Sequence, residues 1–237
     1  MLRRRSFLRA MAGAAVMPML TRGDAADSVP EKLDHILLGC NDLERGIKFV
    51  EQRSGVRAAF GGVHPGRGTH NALLSLGERH YLEIIAPDPA QPDSKNVRRS
   101  QLEKLAEPRL VGWAAHPGDL RWFAKKLEQA GLAFEGPTPG SRKRPDGRML
   151  RWQTLTLNQD ASGLLPFFIE WSADSPHPAA DSPAGCRLMR FALATPEPGK
   201  LAKTLALLSL EVPIAKGQEP QLRAMLRGPK GNLELMS

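Results

Sequence analysis

The stretch from Leu33 to Pro87, LDHILLGCNDLERGIKFVEQRSGVRAAFGGVHPGRGTHNALLSLGERHYLEIIAP, carries the pattern that decides the fold. It opens on a short apolar run containing His35 and closes on another containing Glu83. An imidazole and a carboxylate set among leucines and isoleucines are costly to bury without a partner. Between the two runs, Asn41-Asp42 forms a helix N-cap signal, and Leu43, Ile47 and Val50 mark one helix face that Gly55 ends. Strand-like segments follow at Arg57–Phe60, Asn71–Leu76 and His80–Ile85, with Gly77-Glu78-Arg79 as a tight hairpin. The order is therefore strand, helix and three strands.

Moving outward, the same order recurs. Leu110–Ala115, the Pro117-Gly118-Asp119 cap and the Leu120, Ala124, Leu127 face lead to strands at Met149–Leu157 and Pro166–Trp171. Leu188–Ala194 then precedes the Leu201, Leu205, Leu208 face and strands near Leu222–Leu226 and Asn232–Met236. The closing strands repeat one signature, with Glu83 in YLEII, Glu170 in FIEWS and Glu234 in LELMS. A spacing of 77 residues from Leu43 to Leu120, and of 81 on to Leu201, is that of a duplicated module rather than a solenoid. The expected class is α+β, with βαβββ modules over about 33–87 and 110–172 inside a domain at 31–178, and a third such module at 185–237.

Residues 1–26 stand apart from this pattern. A basic start, Arg3-Arg4-Arg5-Ser6-Phe7-Leu8-Arg9, precedes a small and apolar run from Ala10 to Leu20. That run is too short to span a bilayer and suits an export signal. Its RRRSFLR segment resembles the twin-arginine type, with small residues for cleavage near Ala25 and Ala26. The expectation is a periplasmic protein delivered by the twin-arginine export machinery, with no stable membrane span after cleavage. Losing five arginines and Asp24 lowers the formal charge from +8 to +4. With no basic helix or nucleic-acid motif, that charge argues against a nucleic-acid partner. Two cysteines, Cys40 and Cys186, make no disulfide framework and read as buried free thiols.

The LDHILLG, GGVHPGRGTHNALLSLG, YLEIIAP and PFFIEWS stretches resemble the vicinal oxygen chelate superfamily, and within it the glyoxalase-like branch. That superfamily includes glyoxalase I, bleomycin-resistance proteins and extradiol dioxygenases. The resemblance implies paired βαβββ modules that curl into a cupped, barrel-like sheet with helices outside. It also implies metal ligands on the first and last strands of each module: His35 and Glu83 from module one, and Glu170 from module two. Aligning the caps Asp42 and Asp119 puts Gly112 at the fourth ligand position, and glycine offers no donor. His70, His116 and His177 are alternative fourth ligands. One imidazole and two carboxylates suit a divalent Fe, Mn, Ni or Zn ion, with Glu83 or Glu170 able to act as the catalytic base.

In the glycine-rich loop, Arg67, His70 and Asn71 are candidates for holding a substrate oxygen; a long hairpin that needs glycine is the plainer reading. His64 is a weaker candidate. Ser141–Arg148, SRKRPDGR, reads as a solvated loop, with a basic lip for an anionic substrate as the alternative. The tryptophans read mostly as core, with Trp152 and Trp171 also placed to line a pocket. Two functions remain in view. One is a metal-dependent lyase, isomerase or dioxygenase acting on a small oxygenated molecule. The other is a small-molecule binding protein of the bleomycin-resistance type. Module three, ending in Glu234, reads as structural, either covering the open sheet or making a homodimer contact.

Overall fold

The computed structural model describes residues 28–144, 146–158 and 162–237; the export signal read over 1–26 lies outside them. Module one is β1 (Leu33–Gly39), α1 (Leu43–Ser54), β2 (Ala59–His64), β3 (Thr69–Ser75) and β4 (Tyr81–Pro87). A short helix, α2 (Val97–Glu103), leads to module two. That module comprises β5 (Arg109–Ala115), α3 (Leu120–Gln129), β6 (Phe134–Lys143), β7 (Met149–Leu157) and β8 (Phe167–Trp171). The caps act as their residue types require. Asp42 accepts the N–H of Arg45 at the start of α1, Asp119 accepts that of Trp122 in α3, and Gly55 closes α1 at φ 84°.

The eight strands form one curled sheet in the order β2-β3-β4-β1-β5-β8-β7-β6. β1 lies parallel to β4 and β5 parallel to β8, while β1 and β5 join the modules antiparallel. The edges β2 and β6 approach one another, with Arg142 of β6 lying against Gly61 and Gly62 of β2. Side-chain alternation then separates two faces. Leu82, Ile84 and Phe168 join the core beneath α1 and α3, with the Phe168 and Phe123 rings 4.4 Å apart. Tyr81, Glu83, Phe167 and Trp171 face the concavity. β6 had no counterpart in the periodicity: Ser141–Lys143, read as loop, is strand, and Arg142 is only 3% exposed.

The third unit is β9 (Arg187–Thr195), α4 (Pro198–Leu207), β10 (Ile214–Lys216), β11 (Gln221–Gly228) and β12 (Gly231–Met236). Its element order repeats that of the modules, but its pairing differs. The four strands run β10-β9-β11-β12, so its first and last strands are not neighbours as β1 and β4 are. Its apolar face joins the main core, with Phe191 5.1 Å from Trp113 and Leu188 bonded through its N–H to Leu76. This unit therefore covers the convex side of the large sheet. Glu234 is exposed on its far face, 4.0 Å from Arg190. Cys40 and Cys186 are both buried and free.

Candidate active site

β1 does not alternate regularly. The register with β5 shifts between Leu33 and His35, so Leu33, Ile36 and Leu38 all enter the core. The irregularity turns both Asp34 and His35 to the concave side, a re-aiming that β-bulges commonly perform. Both residues are 2% exposed. Asp34 Oδ1 lies 2.6 Å from His35 Nδ1, and Asp34 Oδ2 accepts from Trp171 Nε1 and His177 Nε2, each at 3.2 Å. The other imidazole nitrogen, Nε2, lies 3.4 Å from Glu83 Oε2 on the neighbouring strand. Tyr81 stacks on the His35 ring at 4.4 Å.

Asn71 ties this row to the opposite wall. Its Nδ2 donates to Glu83 Oε1 at 2.7 Å, and its Oδ1 accepts from Arg142 Nη1 at 2.8 Å. The same amide lies 3.3 Å from His64 Nε2, while His64 Nδ1 lies 2.9 Å from the Thr69 hydroxyl. Those partners make His64 an acceptor at Nε2 and a donor at Nδ1, the neutral form.

The electrostatics follow from these contacts. Burial pushes the His35 imidazole down, but hydrogen bonds to Asp34 and Glu83, with their charges, outweigh it and raise the group to about 9. Burial alone would raise Glu83; the bond to His35, the nearby imidazoles and Asn71 instead hold it at about 2. Asp34 is likewise pulled below the usual carboxylate range, against burial, by His177 and His35. His64 goes the other way: burial takes it to about 4 despite the Glu83 charge. At neutral pH the row is carboxylate, imidazolium, carboxylate, flanked by a neutral histidine.

A cavity of about 470 Å³ opens over this row. Arg67, Asn71 and Trp152, three of the substrate-binding candidates, line it. Asp34, Tyr81 and Arg98, which the sequence did not single out, belong to the site or its support, as do His64, the weaker loop candidate, and Arg142 of the basic-lip alternative. Two expected residues lie elsewhere. Glu170 is on the convex face of β8, where its Oε2 accepts the N–H of Leu120 at 2.9 Å and caps α3. Strand parity is the reason: Phe167, Ile169 and Trp171 take the concave positions of β8. His70 is also on the convex face, its ring 6.2 Å from Phe60 in a separate surface cleft. Of the alternative fourth ligands, His177 holds Asp34 and not the cavity, and His116 has its Nε2 buried without a partner.

This donor set does not make a resident divalent-metal site. His35 and Glu83 come from module one, but module two presents Gly112 and aromatic or aliphatic side chains where donors were expected. Among the described residues no group of three or more His, Cys, Asp or Glu is arranged to hold an ion. Both nitrogens of His35 are engaged by carboxylates, and Arg98 and Arg142 lie close enough to Glu83 to feel its charge. Catalytic zinc and non-haem iron ordinarily take three protein ligands.

Comparison with known proteins agrees with the architecture. The family described as glyoxalase-like domain matches residues 33–208. A hypothetical protein from Staphylococcus aureus is similar over 86% of this chain and 84% of its own, at 17% identity and TM-score 0.60, which shows a shared fold. Methylmalonyl-CoA epimerase from Mycobacterium tuberculosis aligns over 65% of this chain and 94% of its own, at 23% identity and TM-score 0.47. No curated protein sequence matches significantly.

Proposed function

The chain belongs to the glyoxalase-like domain family, and from that premise we propose that it is an enzyme moving protons on a small, oxygenated, anionic substrate, of the isomerase or lyase type. The observation that carries this reading is the buried row Asp34–His35–Glu83, laid along the floor of a cavity. A substrate carbonyl oxygen over His35 Nε2 meets a proton donor, and a C–H beside it meets the Glu83 carboxylate. Glu83 is a weak base by itself, because its proton affinity is held low. Its task eases if His35 gives a proton to the oxygen as Glu83 takes one from carbon: the imidazolium becomes neutral, the carboxylate becomes acid, and the product is an enol with no net charge developed. Asp34 fixes the ring so that Nε2 faces the cavity, as buried carboxylates do for catalytic histidines generally.

This reading keeps the proton-transfer part of the sequence expectation and leaves out the divalent ion, for which the donor set is short. The twin-arginine-type start supports a periplasmic place of action; fusing residues 1–30 to a reporter that works only after export tests that. The test of activity is solvent-deuterium incorporation into a panel of small keto acids, hydroxy acids and dicarbonyls, followed by proton NMR. Wild type is expected to exchange at least one C–H, and His35→Gln and Glu83→Gln to slow it by about 100-fold or more. Absence of exchange across the panel, or equal exchange in the variants, would sink the enzymatic reading. The aromatic wall of the cavity favours a second reading, binding without turnover, which the same exchange assay separates.

A further inference from the structure

The arginines around the cavity differ from a set of paired arginines elsewhere in the chain. Arg45, Arg57, Arg144, Arg148 and Arg151 each pair with an aspartate or glutamate. Within α2, Arg99 bonds Glu103 at 2.9 Å, while its neighbour Arg98 turns to the cavity and has no carboxylate within ion-pair distance among the described residues. Arg98 Nη1 donates only to the Val111 carbonyl, at 3.1 Å. Arg142 is 3% exposed and also lacks a carboxylate partner there, bonding the Asn71 amide oxygen instead. Arg67 sits exposed at the mouth. A buried guanidinium is costly unless it is paired. With His35 already neutralising one of the two floor carboxylates, three arginines leave the pocket with a surplus of positive charge.

The opposite wall is aromatic. Trp152 and Trp171 lie with ring centroids 5.4 Å apart, and Phe167 stands edge-on to His35 at 5.5 Å. All three are only part-buried, so ring surface remains open to the cavity. Gly140 pairs with Trp152 across β6 and β7, and a Cβ there would come within 2.6 Å of the indole. The absent side chain leaves room for the indole against β6.

From this juxtaposition we infer that the pocket takes a planar, aryl or conjugated carboxylate, its carboxylate on Arg142 and Arg98 and its ring against Trp152, Phe167 and Trp171. The inference rests on this cavity being the working site, as proposed above. An anion supplies the partner the two arginines lack, with bidentate pairing available to a guanidinium. A planar ring gains stacking that an aliphatic chain of equal size does not.

The test is titration calorimetry of the protein with benzoate, benzamide and acetate. Benzoate is expected to bind about tenfold or more tightly than either benzamide or acetate, and Arg98→Gln and Trp152→Leu to remove most of that advantage. Arg142→Gln is expected to do the same; circular dichroism of that variant distinguishes lost binding from lost folding. Benzamide equal to benzoate would overturn the anion, acetate equal to benzoate would overturn the ring, and no benzoate binding would overturn both. Benzoate binding without deuterium exchange would fail the enzymatic reading and leave this one standing; exchange without benzoate binding would do the reverse.

Discussion

Asp34 Oδ1 lies 2.6 Å from His35 Nδ1 although the two residues are adjacent in one strand. Regular alternation would put them on opposite faces of the sheet. The register shift between β1 and β5 at this point makes the pair, and the pair sets how the imidazole presents its other nitrogen to Glu83 and the cavity.

The first consequence is a dependence of stability on pH. His35 is held at about 9 against an ordinary 6.5, so the stabilisation from its partners is complete below 6.5 and is lost as pH rises through 9. Glu83 is held at about 2 against 4.5, so its contribution is present above 4.5 and is lost as pH falls toward 2. Urea midpoints are therefore expected to be highest between these ranges. On the alkaline side the unfolding free energy should fall by at most about 1.4 kcal/mol per pH unit for one proton. Asp34→Asn should shrink the alkaline decline, since it removes the stronger of the two carboxylate contacts.

Two histidines in one cavity wall should titrate far apart. His64, near 4, is expected to stay neutral through the physiological range, while His35 stays protonated to about 9. Nitrogen-15 spectra of the imidazoles across a pH series check this. Joint titration of both rings near 6.5 would show that neither environment acts as described.

Glu170 and Glu83 should separate by the kind of damage their loss does. Glu170→Ala removes an acceptor from the Leu120 N–H at the start of α3, at an expected cost of about 1 kcal/mol, with deuterium exchange unaffected. Glu83→Gln is expected to slow exchange by about 100-fold or more. Thermal melts and the exchange assay, run on both variants, make the comparison.

Gly62 is required where β2 meets β6. It has φ 141°, and a Cβ there would lie 2.9 Å from both Arg142 Cδ and the Lys143 carbonyl. Gly62→Ala is expected to cost about 1–3 kcal/mol and to weaken benzoate binding by moving Arg142. Chemical denaturation and calorimetry read the two effects separately.

Metal analysis of protein purified from its native compartment is expected to find substoichiometric Fe, Mn, Ni and Zn, since among the described residues no three His, Cys, Asp or Glu side chains are arranged to hold an ion. One tightly retained ion per chain, lost in both His35→Ala and Glu83→Ala, would restore the metal reading.

The sequence by itself determined the modules. Leu43, Ile47 and Val50 with the Asp42 cap, and Leu120, Ala124 and Leu127 with Asp119, state two helices, because burial and capping are local and leave a period in the chain. The last strand of module one was legible for the same reason, and with it the place of Glu83. Tertiary structure alone decided which polar residues meet. Side-chain parity put Glu170 and His70 on the convex face, since one residue of register reverses every side chain in a strand. A bulge did the opposite for Asp34. Arg98 and Arg142 reach the cavity from a connecting helix and an edge strand, and neither leaves a periodic trace, because charged side chains enter that space through pairing geometry and not through hydrophobic pattern.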